Sequence, residues 1–183
     1  MNYKSIPGYF DFEGYYSEVV VTAPTDSILI EVGCWLGKST IYLAEVVKAS
    51  GKDIRIFAVD TWRWQHNPED LAGKPFGYIY HQFLANIRAC GVNDIITPLC
   101  LPSVEAAKYF EDSSAFMVYI DAEHTYEAVR NDIAAWRKKI RPGGMLAGHD
   151  YTYADKVKQA VDETWPNGVR LIGPTWVVTS DKL

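Results

Sequence analysis

The chain has 183 residues, 48% hydrophobic and 22% charged, enough for one globular domain that buries a large core without disulfides or a structural metal. Eighteen Lys and Arg stand against 23 Asp and Glu, a net charge of −5, and no basic run appears, so no nucleic-acid partner is expected. Cys34, Cys90 and Cys100 form no C-x-x-C pair, which argues against a disulfide framework and fits a reducing, cytoplasmic setting, and no apolar stretch reaches the roughly 18 residues of a membrane span.

Residues 1–26 read as an N-terminal extension with a helix over 12–21, ahead of a core over 27–183, the whole forming a single domain. A unit then recurs: a short apolar run followed by a segment with helical spacing, the pattern of parallel strands joined by crossover helices. The first run, Ser27–Val32 (SILIEV), passes through glycines into a helix over 38–48; the second spans 54–59 (IRIFAV). Residues 61–83 concentrate Trp62, Trp64, Phe76, Tyr78, Tyr80 and Phe83 with His66 and His81, and read as a lid or substrate wall, or as a hydrophobic or subunit contact, merging into a helix over 78–90. A run over 95–101 precedes a short helix over 103–110.

The run over 116–120 (FMVYI) is apolar at every position, as suits a central strand buried on both faces. Val129, Ile133, Trp136 and Ile140 then mark one helical face, stopped by Arg141-Pro142-Gly143-Gly144; Asp132 is expected on the solvated side of that helix. A fifth strand over 145–147 leads to a helix bearing Val157, Ala160, Val161 and Thr164. Runs over 169–172 and 176–179 are too close for a crossover and should be antiparallel neighbours. The result is a doubly wound, Rossmann-like seven-stranded α/β sheet, mostly parallel with an antiparallel C-terminal hairpin. Ligands bind beyond the carboxyl ends of strands in such sheets, which directs attention to the loops after Val32, Val59, Ile120 and Ala147.

The loop Glu31-Val-Gly-Cys-Trp-Leu-Gly-Lys-Ser-Thr40 joins a strand to a helix, so its N–H groups form a ligand cradle. Gly33 and Gly37 lie one residue too close for a G-x-x-x-x-G-K-[ST] phosphate loop, and Trp35 stands where a dinucleotide fingerprint needs its second glycine. Asp60 ends the second strand, where a carboxylate can accept ribose hydroxyls. The readings left open are an adenosine-cofactor site, a P-loop-like nucleotide hydrolase or kinase, a catalytically silent adenosine-binding module, and a glycine turn that merely joins strand to helix.

The E-x-G-x-x-x-G pattern resembles the first motif of class I S-adenosylmethionine-dependent methyltransferases. Tyr119-Ile-Asp-Ala-Glu-His-Thr-Tyr-Glu127, the Pro-Gly-Gly turn and Gly148-His-Asp-Tyr151 are similar to a subgroup of small-molecule O-methyltransferases, and the likeness covers about residues 28 to 165. It implies the strand order 3-2-1-4-5-7-6 and S-adenosylmethionine held by Glu31, Gly33, Gly37, Lys38, Ser39, Asp60, Trp62 and Asp121, with Glu31 helping to hold the cofactor's ammonium group and Trp62 beside its adenine. It further implies transfer to an oxygen of a small molecule or sugar.

Asp121 ends the fourth strand and His149-Asp150 follow the fifth, so adjacent strands bring them to one rim. His124 and His149 are candidate bases for a hydroxyl acceptor, with Asp150 beside them. Alternatively Asp121, His149 and Asp150 hold a divalent cation, Mg or Mn, that acidifies the hydroxyl. His124 and Tyr126 also have a plainer reading, as caps of the helix that follows. A homo-oligomer could complete the acceptor site.

Overall fold

The computed structural model describes residues 1–63, 75 and 77–183. Its seven strands lie in the order β3-β2-β1-β4-β5-β7-β6. β1 (Ser27–Val32), β2 (Ile54–Asp60), β3 (Ile96–Cys100), β4 (Ala115–Ile120) and β5 (Ile140–Gly148) are parallel. β6 (Arg170–Ile172) and β7 (Thr175–Thr179) return antiparallel, with Ile172 opposite Thr175 across a turn made of Gly173 and Pro174. The hairpin follows from the three-residue spacing of two apolar runs, which leaves no length for a crossover.

Two layers of helices cover the sheet. α1 (Glu13–Thr22), α2 (Lys38–Ser50) and α3 (Tyr78–Ala89) bury Tyr16, Leu43 and Phe83 against one face. α4 (Ser103–Ala107), α5 (Tyr126–Trp136) and α6 (Asp155–Thr164) bury Ala106, Trp136 and Val161 against the other. β1 and β4 serve both layers because their alternate residues point to opposite faces: Leu29 and Met117 enter the first core, Ile30 and Val118 the second. No helix among the described residues is long and apolar enough to cross a membrane.

One element differs from the sequence expectation. β5 begins at Ile140, ahead of the Pro-Gly-Gly turn, and runs through it; its register with β4 shifts between Ala115 and Met117, so the turn residues form an irregularity within the strand. The N-terminal segment carries the expected helix: α1 packs on α2, and the Tyr3 N–H donates to Glu45 Oε1 at 3.2 Å. Trp64, His66 and Phe76 of the aromatic-rich stretch lie outside the described residues.

The tightest backbone approach decides where the site forms. Gly33 has φ of +94°, and a Cβ there would lie 1.9 Å from the carbonyl oxygen of Asp121. Only glycine lets the β1 turn settle against the end of β4, where the Asp121 N–H donates to the Val32 carbonyl at 2.7 Å. Gly33→Ala should therefore cost on the order of 3 kcal/mol or more, read as a fall of roughly 10 °C in thermal melting. Gly51→Ala, which also has positive φ but open space around it, should cost only about 1–2 kcal/mol.

Candidate active site

The carboxyl ends of β1, β2 and β4 meet over a cavity of about 470 Å³, lined by Gly33 and Trp35 from the glycine turn, Asp60 at the end of β2 and Trp62 beyond it, Leu101 to Val104 beyond β3, and Asp121 beyond β4. Asp60 braces the turn. Its Oδ2 accepts the N–H groups of Cys34 at 2.9 Å and Trp35 at 2.8 Å, and its Oδ1 that of Trp62 at 2.6 Å. Burial pushes its pKa up while these donors push it down, and burial prevails. Both carboxylate oxygens of Asp60 thus already hold the loop. Trp35 and Trp62 take positive φ, and the Trp62 indole N–H donates to the Trp35 carbonyl at 2.8 Å, which locks the two loops together.

Glu31 sits behind this surface. It is fully buried and lies outside the cavity lining, accepting hydrogen bonds from Tyr16 at 2.9 Å and from the Ser39 and Thr40 hydroxyls. Burial raises its pKa to about 7, against the pull of those hydroxyls. Ser39 thus faces Glu31, and Lys38 donates to the Gly8 carbonyl at 2.8 Å; neither lines the cavity. Gly37 caps α2 with φ of +89°, where a Cβ would press on the Phe83 ring at 2.9 Å.

A second cavity of about 400 Å³ is lined by Tyr9, Asp121, His124, His149, Asp150 and Tyr153, so Asp121 belongs to both. Carboxylates and imidazoles alternate through this lining and on to Asp11 behind it. Asp11 Oδ1 lies 2.9 Å from His149 Nε2, His149 Nδ1 3.2 Å from Asp150 Oδ2, and Asp150 Oδ2 3.0 Å from His124 Nε2. His124 Nε2 is 3.8 Å from Asp121 Oδ1. The hydrogen bonds of Asp121 and Asp150 raise His124 to about 10. Burial pulls His149 down, but Asp150, Asp121 and Asp11 outweigh it and hold it at about 9. Burial works on Asp150 in the opposite sense, yet the two imidazoles keep its carboxyl well below the usual range. Both histidines are accordingly protonated at neutral pH, paired rather than free to act as bases.

Ligand atoms of Asp121, His124 and Asp150 lie within 4.8 Å of one another, the spacing a metal ion needs. His149 differs from His124 in that it is 4% exposed and both ring nitrogens already face carboxylates, one of them on the N-terminal segment. Asp11, Tyr9 and Tyr153 are site residues that the sequence reading missed. Tyr9 and Tyr153 hydroxyls reach Asp11 Oδ2 at 3.0 and 3.2 Å, a meeting of residues 142 positions apart that carries no sequence signal.

Asp132 corrects an expectation outright. It is 5% exposed and lines the first cavity, because α5 turns that side toward α4 rather than to solvent. Thr125, not His124, caps α5, its hydroxyl accepting the Ala128 N–H at 3.4 Å; Tyr126 instead donates to Glu163.

A family model described as a methyltransferase domain matches residues 30–151. The chain belongs to this methyltransferase family. Its fold is that of the class I S-adenosylmethionine-dependent enzymes. Among solved structures, the O-methyltransferase NovP superposes with a TM-score of 0.71 at 15% identity, over 91% of this chain and 78% of that one. An S-adenosylmethionine-dependent O-methyltransferase of Thermotoga maritima gives 0.61 at 14% identity, over 87% and 51% respectively. The uncharacterized protein y4gI of Sinorhizobium fredii is 28% identical over 123 residues, which is 67% of this chain; the chain spans only 13% of the length of that relative.

The residues of this methyltransferase domain suit the cofactor its family implies. The larger cavity joins apolar walls from Val32, Val59 and Leu101 to the carboxylates of Asp60, Asp121 and Asp132, a setting that favours a sulfonium, an ammonium, hydroxyls and an amine. A triphosphate would meet those carboxylates, and the lysine of the loop is turned away to Gly8, so the nucleotide-hydrolase reading loses its chemistry.

Glu31 gives a pH test. Its carboxyl ionises at its ordinary 4.5 when unfolded but near 7 when folded, so the unfolded state loses its proton first and stability declines as pH rises across that window. Urea unfolding between pH 4.5 and 7.5 should show a loss of about 3 kcal/mol from this group, and Glu31→Gln should remove it.

Proposed function

We propose that the protein transfers a methyl group from S-adenosylmethionine to an oxygen of a small molecule, with the acceptor seated in the Asp121, His124 and Asp150 cavity. The observation that carries this is the shared Asp121: one carboxylate borders both the cavity suited to the cofactor and the acid–imidazole rim. The O-methyltransferase neighbours support the same acceptor atom.

S-adenosylmethionine supplies an electrophilic methyl on sulfur, and transfer is an in-line displacement that demands alignment more than covalent help. The chain supplies that alignment. Gly33 and Trp35 line the turn on which the methionine part would lie, Asp60 would meet the ribose, and Asp121, which borders both cavities, would lie between donor and acceptor. A hydroxyl acceptor must also lose a proton. With His124 and His149 held as cations at neutral pH and Asp150 paired to both, the proton acceptor left on the rim is the carboxylate of Asp121, which burial makes more basic than an ordinary aspartate.

The same residues fit a divalent cation, Mg or Mn, that would be held by Asp121, His124 and Asp150, with His124 giving up its proton on binding, and would lower the pKa of a bound hydroxyl. An imidazole in the set tilts the choice toward Mn. His149 then serves as a buried support between Asp11 and Asp150.

Calorimetry with S-adenosylhomocysteine tests the cofactor reading: binding by wild type, weakened about tenfold or more in Asp60→Ala, is expected, and no binding by folded protein overturns it. Methyl transfer to a pool of hydroxylated small molecules should stop on chelation, return with Mn, and fall about 100-fold or more in Asp150→Ala. Full turnover in chelator would remove the cation from the mechanism.

A further inference from the structure

Asp132 has no part in the chemistry above, yet it is a buried carboxylate in the wall of the cofactor cavity. What fixes it is a short chain of donors. The Trp136 indole N–H donates to Ser103 Oγ at 2.9 Å, and a hydroxyl has a single proton, so the proton of Ser103 is left to point at Asp132, with which it hydrogen-bonds. Trp136 is itself fully buried and cannot swing away. The carboxylate is therefore oriented from behind. Burial and the Ser103 bond are the influences acting on its ionisation, and no cation among the described residues pairs with it. Such an acceptor is costly to leave without a further donor.

The place of Asp132 in the sheet indicates which donor arrives. A ribose at Asp60 on β2 leaves the attached base to extend toward β3, the next strand outward, over the loop from Leu101 to Val104. Leu101, Val104 and Ala128 offer apolar contact to the faces of a planar ring, while Asp132 and Asn131 are the polar groups that α5 sets in that part of the wall. A purine carrying an exocyclic amine presents a two-proton donor at its edge.

We infer that Asp132 is the specificity-determining residue for the purine of the cofactor, its Ser103-oriented carboxylate accepting a hydrogen bond from the exocyclic amine. This rests on the methyltransferase reading of the cavity and goes beyond it by assigning base recognition to α5. Asp132 acts by binding alone and takes no part in methyl transfer.

The test is calorimetric titration with S-adenosylhomocysteine and with its analogue lacking the 6-amino group. Wild type should prefer the amino compound by about tenfold or more, the yield of one hydrogen bond to a charged acceptor. Asp132→Ala should bring that preference below about twofold, while Asn131→Ala changes both affinities together and keeps the ratio. Circular dichroism and thermal melting establish that each variant is folded. Where Asp132→Ala does not fold, Asp132→Asn keeps the volume and an acceptor oxygen without the charge, and the preference should fall clearly below that of wild type. A wild-type protein that binds both compounds equally, or a variant at position 132 that keeps the full preference, overturns the assignment while leaving the cofactor site standing. Failure of wild type to bind S-adenosylhomocysteine at all overturns both.

Discussion

The contact on which this site depends is the approach of the β1 turn to the end of β4. Because Gly33 has no side chain, its backbone lies where a Cβ would be 1.9 Å from the Asp121 carbonyl, and two loops distant in sequence become one surface. Asp121 then stands at the boundary of two cavities instead of serving one. The Asp60 carboxylate holds the same turn from the other side through the N–H groups of Cys34 and Trp35. Glycine provides closeness and the acid provides rigidity; a methyl donor and its acceptor need both, since displacement at carbon is sensitive to small errors of alignment.

The distribution of charge differs between the two cavities. Around the larger one, carboxylates stand among apolar walls, so a ligand there should offer positive charge and donors rather than phosphate. On the rim, acids and imidazoles alternate and fix one another's protonation, with Asp150 held ionised between two cationic histidines. The outer member of that series, Asp11, comes from the segment ahead of β1. What reads in the sequence as an extension is thus part of the rim, closing it with Tyr9 and tying it to Tyr153.

Much of the architecture was legible because it rests on local patterns. The fully apolar FMVYI run marked the central strand, the short spacing between the last two runs marked the antiparallel return, and the glycine spacing argued against a Walker phosphate loop while leaving a P-loop-like reading open. The misreadings have equally local origins. A Pro-Gly-Gly stop signal suggested that β5 starts late, whereas the strand absorbs those residues as an irregularity opposite β4. Asp132 was placed in solvent because helical periodicity ranks faces by apolar content and is blind to a polar residue that a neighbouring helix encloses. Glu31 and Ser39 lie in the right motif, but the structure turns them toward each other and toward Tyr16.

The sequence by itself determined the alternation of strands and helices, the position of the glycine turn after the first strand, and the set of acids and histidines at the strand ends. All of these follow from periods of two and 3.6 residues and from residue chemistry at fixed spacing. Only the tertiary structure decided which of those side chains face a cavity and which face one another. His124 and His149 are alike in sequence terms, yet one opens to the rim and the other is enclosed between Asp11 and Asp150. The same holds for Asp60, Asp121 and Asp132, three carboxylates from three elements that converge on one cavity. Convergence of that kind is set by how the layers pack, and packing joins residues whose separation along the chain no local pattern records.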